Sequence, residues 1–259
     1  MARLSSAAEA RAAARTTRRR VIAIASVAAV LVVGVIVLAT TRAPAARPTA
    51  GAAGHAGATA MPSPGSSSYV PPARWVTLPP ATGEDQQMPV GYPHSPLGAA
   101  AMAASTVSYA WCALPQQAAA AASVYADPDQ QQQAVTAATG LVGELRQKTG
   151  LPATGPLPAG ANIQAIPYAV KYTAQDQNTV VVDVAFNLQW TTGTGQATTT
   201  QPMVVAGTMV WVNQTSSGQD WHYTLTPTSG TPDYPTPAEV GTPAFNQAGW
   251  QAIQSGAGR

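Results

Sequence analysis

Residues 179–190 read TVVVDVAFNLQW, and the period of that stretch decides the fold class. Val180, Val182, Val184, Phe186, Leu188 and Trp190 fall on one face of an extended chain, while Thr179, Asp183, Asn187 and Gln189 share the other with Val181 and Ala185. A period of two with one apolar face predicts a half-buried antiparallel strand. Three further segments repeat the pattern around it. Ile163 to Thr173 alternates through Ile166, Tyr168, Val170 and Tyr172. Pro167 within it predicts an edge position or a bulge, because proline donates no ladder hydrogen bond. Met203 to Asn213 and Gln219 to Thr226 supply two more strands, and polar connections at 174–178, 191–200 and 214–218 suit a meander.

Upstream of the strands the period becomes helical. Ser95 followed by Pro96 is an N-cap with proline at the first helical position, predicting a helix from Pro96 to about Ala113. Its alanines permit close backbone approach, and Met102, Val107, Tyr109 and Trp111 provide the larger contacts. Pro115 restarts a second helix that reaches about Tyr125. Asp127-Pro128-Asp129-Gln130 has the pattern of a capping box for a third, which should end at Gly150. Val135, Ala138, Leu141, Val142 and Leu145 give that helix one apolar face. Helices first and an antiparallel sheet afterwards is an α+β order. The expectation is two or three helices packed on a four-stranded antiparallel sheet, over residues 88–226.

The flanks are of a different character. Residues 21–40, VIAIASVAAVLVVGVIVLAT, are uncharged, and as a helix at about 1.5 Å per residue they match a hydrocarbon core of about 30 Å. They read as one transmembrane helix. Residues 1–20 form a basic tail with six arginines and one glutamate, against seven basic and ten acidic side chains after residue 40. Arg15, Arg18, Arg19 and Arg20 adjoin the apolar run, so the positive-inside bias puts the N-terminus in the cytoplasm and the remainder outside the cell membrane. Two rivals stay open: a cleaved secretory signal ending near Ala43-Pro44-Ala45, and a twin-arginine signal. Residues 41–87, rich in Ala, Pro, Gly, Ser and Thr, read as a disordered tether. Residues 227–259 form a Pro-rich tail in which Phe245, Trp250 and Ile253 suggest a short helix docked back on the domain.

Composition narrows the chemistry. The formal charge of +2 among 259 residues is concentrated at the N-terminus, which argues against nucleic-acid binding. A single cysteine, Cys112, excludes an intramolecular disulfide and multi-cysteine metal sites, and its apolar helix predicts an inert thiol. No phosphate-binding loop, dinucleotide fingerprint, nucleophile elbow or zinc-protease helix occurs, so no cofactor, metal or catalytic residue is assigned. Asp220 and His222, two apart on a strand, are the nearest to an acid–base or metal-ligand pair and would need a third group such as Asp183. His94, at a helix start, suits a turn-stabilising or capping role. Trp190, Trp211 and Trp221 fall in strands and are expected in the core, or else lining a concave face. Asn213-Gln214-Thr215 matches a glycosylation sequon.

Met88 to Tyr109, MPVGYPHSPLGAAAMAASTVSY, carries a resemblance. Pro89, Val90, Gly91, Tyr92, Pro93, His94, Ser95 and Gly98 resemble the pattern V-P-V-G-[YF]-P-H-[ST]-x-x-G of single-pass membrane proteins of actinobacteria, often met among genes for conjugation-like or type IV secretion machinery. The resemblance implies a membrane-anchored extracytoplasmic scaffold or accessory protein, envelope or secretion-apparatus proteins as partners, and no enzyme. It also implies a cone of the nuclear-transport-factor-2-like kind. The motif itself would be structural, with Pro89, Pro93 and Pro96 stiffening the approach and Gly91 and Gly98 allowing tight turns or close packing against the sheet. A small-ligand or cell-wall binding module, and an enzyme with its site in the cone, are the alternatives. What fills the concave face separates them: bulky apolar side chains for a scaffold, an open apolar cavity for binding, an inward Asp183 or His222 for catalysis.

Overall fold

In a computed structural model the described residues are 69–215, 218–226 and 235–254. Two short strands, β1 (Trp75–Val76) and β2 (Gly83–Asp85), precede β3 (Met88–Val90). Three helices follow: α1 (Pro96–Ala110), α2 (Pro115–Tyr125) and α3 (Gln131–Lys148), the last entered through a 3-10 turn at Pro128–Gln130. The long strands β4 (Asn162–Ala174), β5 (Thr179–Thr191), β6 (Thr199–Thr215) and β7 (Gly218–Thr224) come next, then α4 (Pro243–Gln247) and β8 (Gln251–Ile253). The fold is α+β, with a mostly antiparallel sheet. The basic tail and the apolar run at 21–40 lie outside the described residues, and no helix among those residues is long and apolar enough to cross a membrane.

The sheet has six strands rather than the expected four, in the order β1-β8-β4-β5-β6-β7. The expected meander forms its body, and β8 pairs antiparallel with β4 while β1 pairs parallel with β8. Residues 69–87, assigned by composition to the tether, therefore belong to the domain from Tyr69 onward. Val70 N–H donates to the Gly241 carbonyl at 2.9 Å. Asn246 clamps the strap twice, accepting from Ala73 N–H at 2.8 Å and donating to the Pro71 carbonyl at 3.0 Å. Strands of two or three residues have no period to read, and the partner lies more than 170 residues away. Of the residues expected on a short docked helix in the tail, only Phe245 is on α4, while Trp250 follows it and Ile253 lies on β8; Phe245 and Trp250 are buried beneath Ala169 and Ala185 on the sheet face away from α1.

The helices cover the other face. Val180, Val182, Val184, Phe186 and Leu188 are each at most 2% exposed, and full burial is worth about 1.5–3 kcal/mol for each such side chain. Above them α1 buries Met102 and Val107 together with Ala99, Ala100 and Ala101, whose small side chains let its backbone come down onto β4 and β5. The bulge predicted at Pro167 is observed between Pro167 and Ala169. It does not mark an edge, because β8 continues the sheet at Ala169 and Val170.

The third helix begins differently from the expected capping box. Asp127 accepts from Asp129 N–H at 3.1 Å. The Gln130 side chain does not reach back to it, but accepts from Leu225 N–H at 2.5 Å and from the Thr224 hydroxyl at 3.2 Å. Asp127 N–H instead donates to the Tyr223 carbonyl at 2.9 Å. The helix thus opens by fastening itself to β7. Gly150 closes it at φ +79°, with Gly150 N–H donating to Gln147 and Leu151 N–H to Arg146, the paired bonds of a Schellman stop.

Candidate functional site

The candidate site is a cavity of about 150 Å³ between α1, α3 and the β5–β7 part of the sheet. Its walls are Val107, Trp111, Ala138, Leu141, Val184, Gly207, Met209, Tyr223 and their neighbours, almost all apolar. Alanine-rich helices leave this space: Ala103, Ala110, Ala134, Ala137 and Ala138 stand where larger side chains would fill it. Gly207 is the sheet's contribution. It lies between Val205 and Met209 on the helix-facing side of β6, and a Cβ built on it meets nothing within 4 Å. Thr106, Ala110, Trp111, Leu141 and Tyr223 are only half-buried, so the cavity reaches solvent.

No acid–base pair lines it. Asp220 is buried, but its carboxylate accepts backbone N–H groups from Gly91 at 2.5 Å, Tyr92 at 3.0 Å and Trp221 at 2.8 Å. That is the work of a structural anchor. His222 is also buried, with Nδ1 donating to the Ala126 carbonyl at 3.0 Å and Nε2 without a partner. Burial pushes the imidazole down from its ordinary range, against weaker upward pulls from the Ala126 carbonyl and the Asp220 and Asp127 carboxylates. It is therefore a neutral ring. Asp183 is not brought to the pair: it registers with Ala206 on β6, whereas His222 registers with Val210. Four residues at about 3.4 Å each separate them along the strand. Asp183 faces Lys171 across β4 instead. Among the described residues no group of three His, Cys, Asp or Glu side chains is placed to hold a metal.

The 88–98 motif turns inward and locks β3, α1 and β7 together. Gly91 takes φ +80° and presents its N–H to Asp220. The Tyr92 hydroxyl lies 2.5 Å from Ser105 Oγ on α1. The Pro93 carbonyl accepts from Trp221 Nε1 at 2.9 Å, and the Pro89 carbonyl from the Tyr125 hydroxyl at 3.2 Å. Ser95 is the N-cap, accepting from Gly98 N–H at 3.1 Å. His94 does not cap. Its ring stacks on Trp211 at 4.1 Å between centroids and 11° between planes, with Nε2 2.9 Å from the Gln177 carbonyl. Gly98 packs within the motif rather than against the sheet, since a Cβ there would lie 1.9 Å from the Pro93 oxygen.

The tryptophans divide. Trp221 is fully buried and Trp190 and Trp211 pack against the same core, so core packing holds for all three, and none reaches the cavity. Trp111, read as a core contact of α1, supplies the aromatic wall and tilts against Phe186 at 5.0 Å. Cys112 is buried and donates to the Leu114 carbonyl at 3.4 Å, and burial pushes its thiol up, as an inert thiol requires. Asn213 is exposed. Sequence reasoning missed Arg146, a buried guanidinium whose Nε donates to the Ala113 carbonyl at 2.7 Å and Nη1 to Gly155 at 3.0 Å. It also missed Gly207 and Tyr223. A glycine inside an alternating strand was the available signal for the first.

Comparisons with family models, with curated proteins and with solved structures find no match to this chain.

Proposed function

We propose that the chain is a membrane-anchored extracytoplasmic binding module that holds a small apolar ligand between its helices and its sheet. The observation that carries this reading is the cavity: about 150 Å³, open to solvent, walled by apolar side chains and free of acid–base pairs. Ligand pockets are usually concave and mostly apolar, with few polar groups. Helices laid over a mostly antiparallel sheet with a hollow between them also support the nuclear-transport-factor-2-like reading. The apolar run at 21–40 and the arginines beside it support the single-pass anchor with the domain outside.

The test is methyl NMR of the full-length chain in lipid nanodiscs, with labelled methionines and benzene as the probe. Benzene should shift the Met209 methyl, and Gly207→Val should abolish that shift while leaving the fold intact. A wild type whose Met209 signal ignores benzene, or a shift that survives Gly207→Val, overturns the reading. Fractionation of cells expressing the intact chain and one lacking residues 21–40 tests the anchor: only the first should remain in the membrane after a carbonate wash.

The scaffold reading, as an accessory to a conjugation-like or type IV secretion apparatus, draws support from a separate feature. Trp75 is 49% exposed on β1, at the end of the six-stranded sheet, and Tyr69, earlier in the same segment, is 65% exposed. An aromatic edge strand suits strand addition by a partner. Crosslinking from position 75 in the native membrane should then capture an envelope protein, and Trp75→Asp should remove the product.

A further inference from the structure

The cavity wall contains three hydroxyl groups, and their hydrogen bonds differ. Thr106 Oγ1 donates to the Met102 carbonyl at 3.0 Å within α1. Thr224 Oγ1 donates to Gln130 Oε1 at 3.2 Å and accepts from Thr226 N–H at 3.1 Å. Both are occupied by the fold. The Tyr223 hydroxyl, from the last residue but one of β7, has no hydrogen-bond partner among the described residues. Burial pushes this phenol above its ordinary range with no opposing pull, so it stays protonated and available as a donor. The Tyr223 side chain is half-buried where the cavity reaches solvent, so a ligand's polar group can take the place of water at this hydroxyl.

Charge and size complete the description. No Lys, Arg, His, Asp or Glu stands in the wall. The buried ionisable groups of β7 lie outside the wall: Asp220 accepts from three N–H groups of the backbone, and His222 holds the Ala126 carbonyl through Nδ1. An ionic ligand would enter without a counter-charge, which is costly in an apolar site. A cavity of about 150 Å³ with apolar walls accommodates one benzene ring.

We propose that the ligand is an uncharged molecule of about one ring in size carrying a single hydrogen-bonding group, oriented by the Tyr223 hydroxyl and packed against Trp111, Leu141 and Met209. This rests on the binding reading above and goes further, because it names a polar contact and a ligand class. Tyr223 is a positioning and specificity residue here, with no step of bond making or breaking attached to it.

The experiment titrates phenol, toluene and benzoate into wild type and Tyr223→Phe, both as full-length chains in nanodiscs, with free ligand fixed by dialysis and the Met209 methyl as readout. Toluene should bind both proteins alike, which also reports that the variant is folded. The preference for phenol over toluene should fall about fivefold in Tyr223→Phe, the effect of one neutral hydrogen bond. Benzoate should bind the wild type at least tenfold more weakly than phenol. A phenol preference unchanged within twofold, with toluene binding retained, overturns the inference and leaves the binding reading standing. Benzoate binding as tight as phenol overturns the uncharged class. Failure of the wild type to bind toluene overturns both readings together.

Discussion

Gly207→Val tests the hollow between helices and sheet independently of any ligand. The three carbons it adds would enter space that holds no atom within 4 Å of the new Cβ. Each buried methyl or methylene contributes about 0.8 kcal/mol, so complete burial of three is worth about 2.4 kcal/mol. Relief of the conformational cost of glycine in a strand interior adds about 0.5–1 kcal/mol. A ceiling comes from the cavity itself: about 150 Å³ at roughly 24 cal/mol per Å³ is about 3.6 kcal/mol. Half-buried walls keep some of the added surface in contact with water, and the expected gain is about 1.5–3 kcal/mol. For a domain of this size that corresponds to a rise in Tm of roughly 3–12 °C. Urea and thermal unfolding of the full-length chain, followed by circular dichroism, measure it, and saturating toluene should stabilise the wild type alone. A variant less stable than wild type by more than about 1 kcal/mol would mean that the Cβ meets packed atoms, and the hollow would have to be abandoned.

Other sites give sharper signs. Gly98→Ala places a Cβ 1.9 Å from the Pro93 oxygen and should cost about 3 kcal/mol or more. Gly140→Ala, mid-helix in α3 with nothing within 4 Å, should gain about 0.8–1 kcal/mol. Urea midpoints of equal tolerance at the two glycines would contradict the inward lock. His222 is held neutral by burial, with its folded pKa below the unfolded one, so the unfolded chain binds the extra proton. Its contribution to stability is complete above about pH 6.5 and falls by at most about 1.4 kcal/mol per pH unit below that. Urea midpoints from pH 8 to pH 5 should show that slope, and His222→Gln should flatten it; an unchanged slope assigns the acid sensitivity elsewhere. Phe245→Ala removes a fully buried ring from the α4 side of the sheet and should cost about 3–5 kcal/mol, with early hydrogen exchange at β8 and β1. A change below 1 kcal/mol would show that the C-terminal segment contributes little to the fold.

Among the described residues, the sequence was informative wherever a rule acts over neighbouring positions. The alternation from Val180 to Leu188 specified the central strand and the face it buries, because side chains on a strand point to opposite sides at every step. Ser95-Pro96 and Pro115 marked two helix starts, since proline tolerates the first turn and little beyond it. Pro167 marked a bulge for a related reason. Gln86 and Gln87, at φ 49° and 66°, show the opposite case: the β2–β3 turn uses left-handed residues with no Asn-Gly signal, so the hairpin could not be read. Asp220 and His222 shared a strand face as their spacing requires, yet only the third dimension delivered Gly91, Tyr92 and Ala126 to them and left Asp183 several residues away. The parallel pairing of β1 with β8 and the hollow over Gly207 belong to the same class. They depend on contacts between segments distant in the chain, and on what neighbouring side chains leave unfilled, quantities that no local period encodes. Local periodicity thus determined the long strands and the helices with the faces they bury, while long-range packing decided where the sheet ends, which polar groups are consumed by the fold, and that Tyr223 stands in the wall of the hollow.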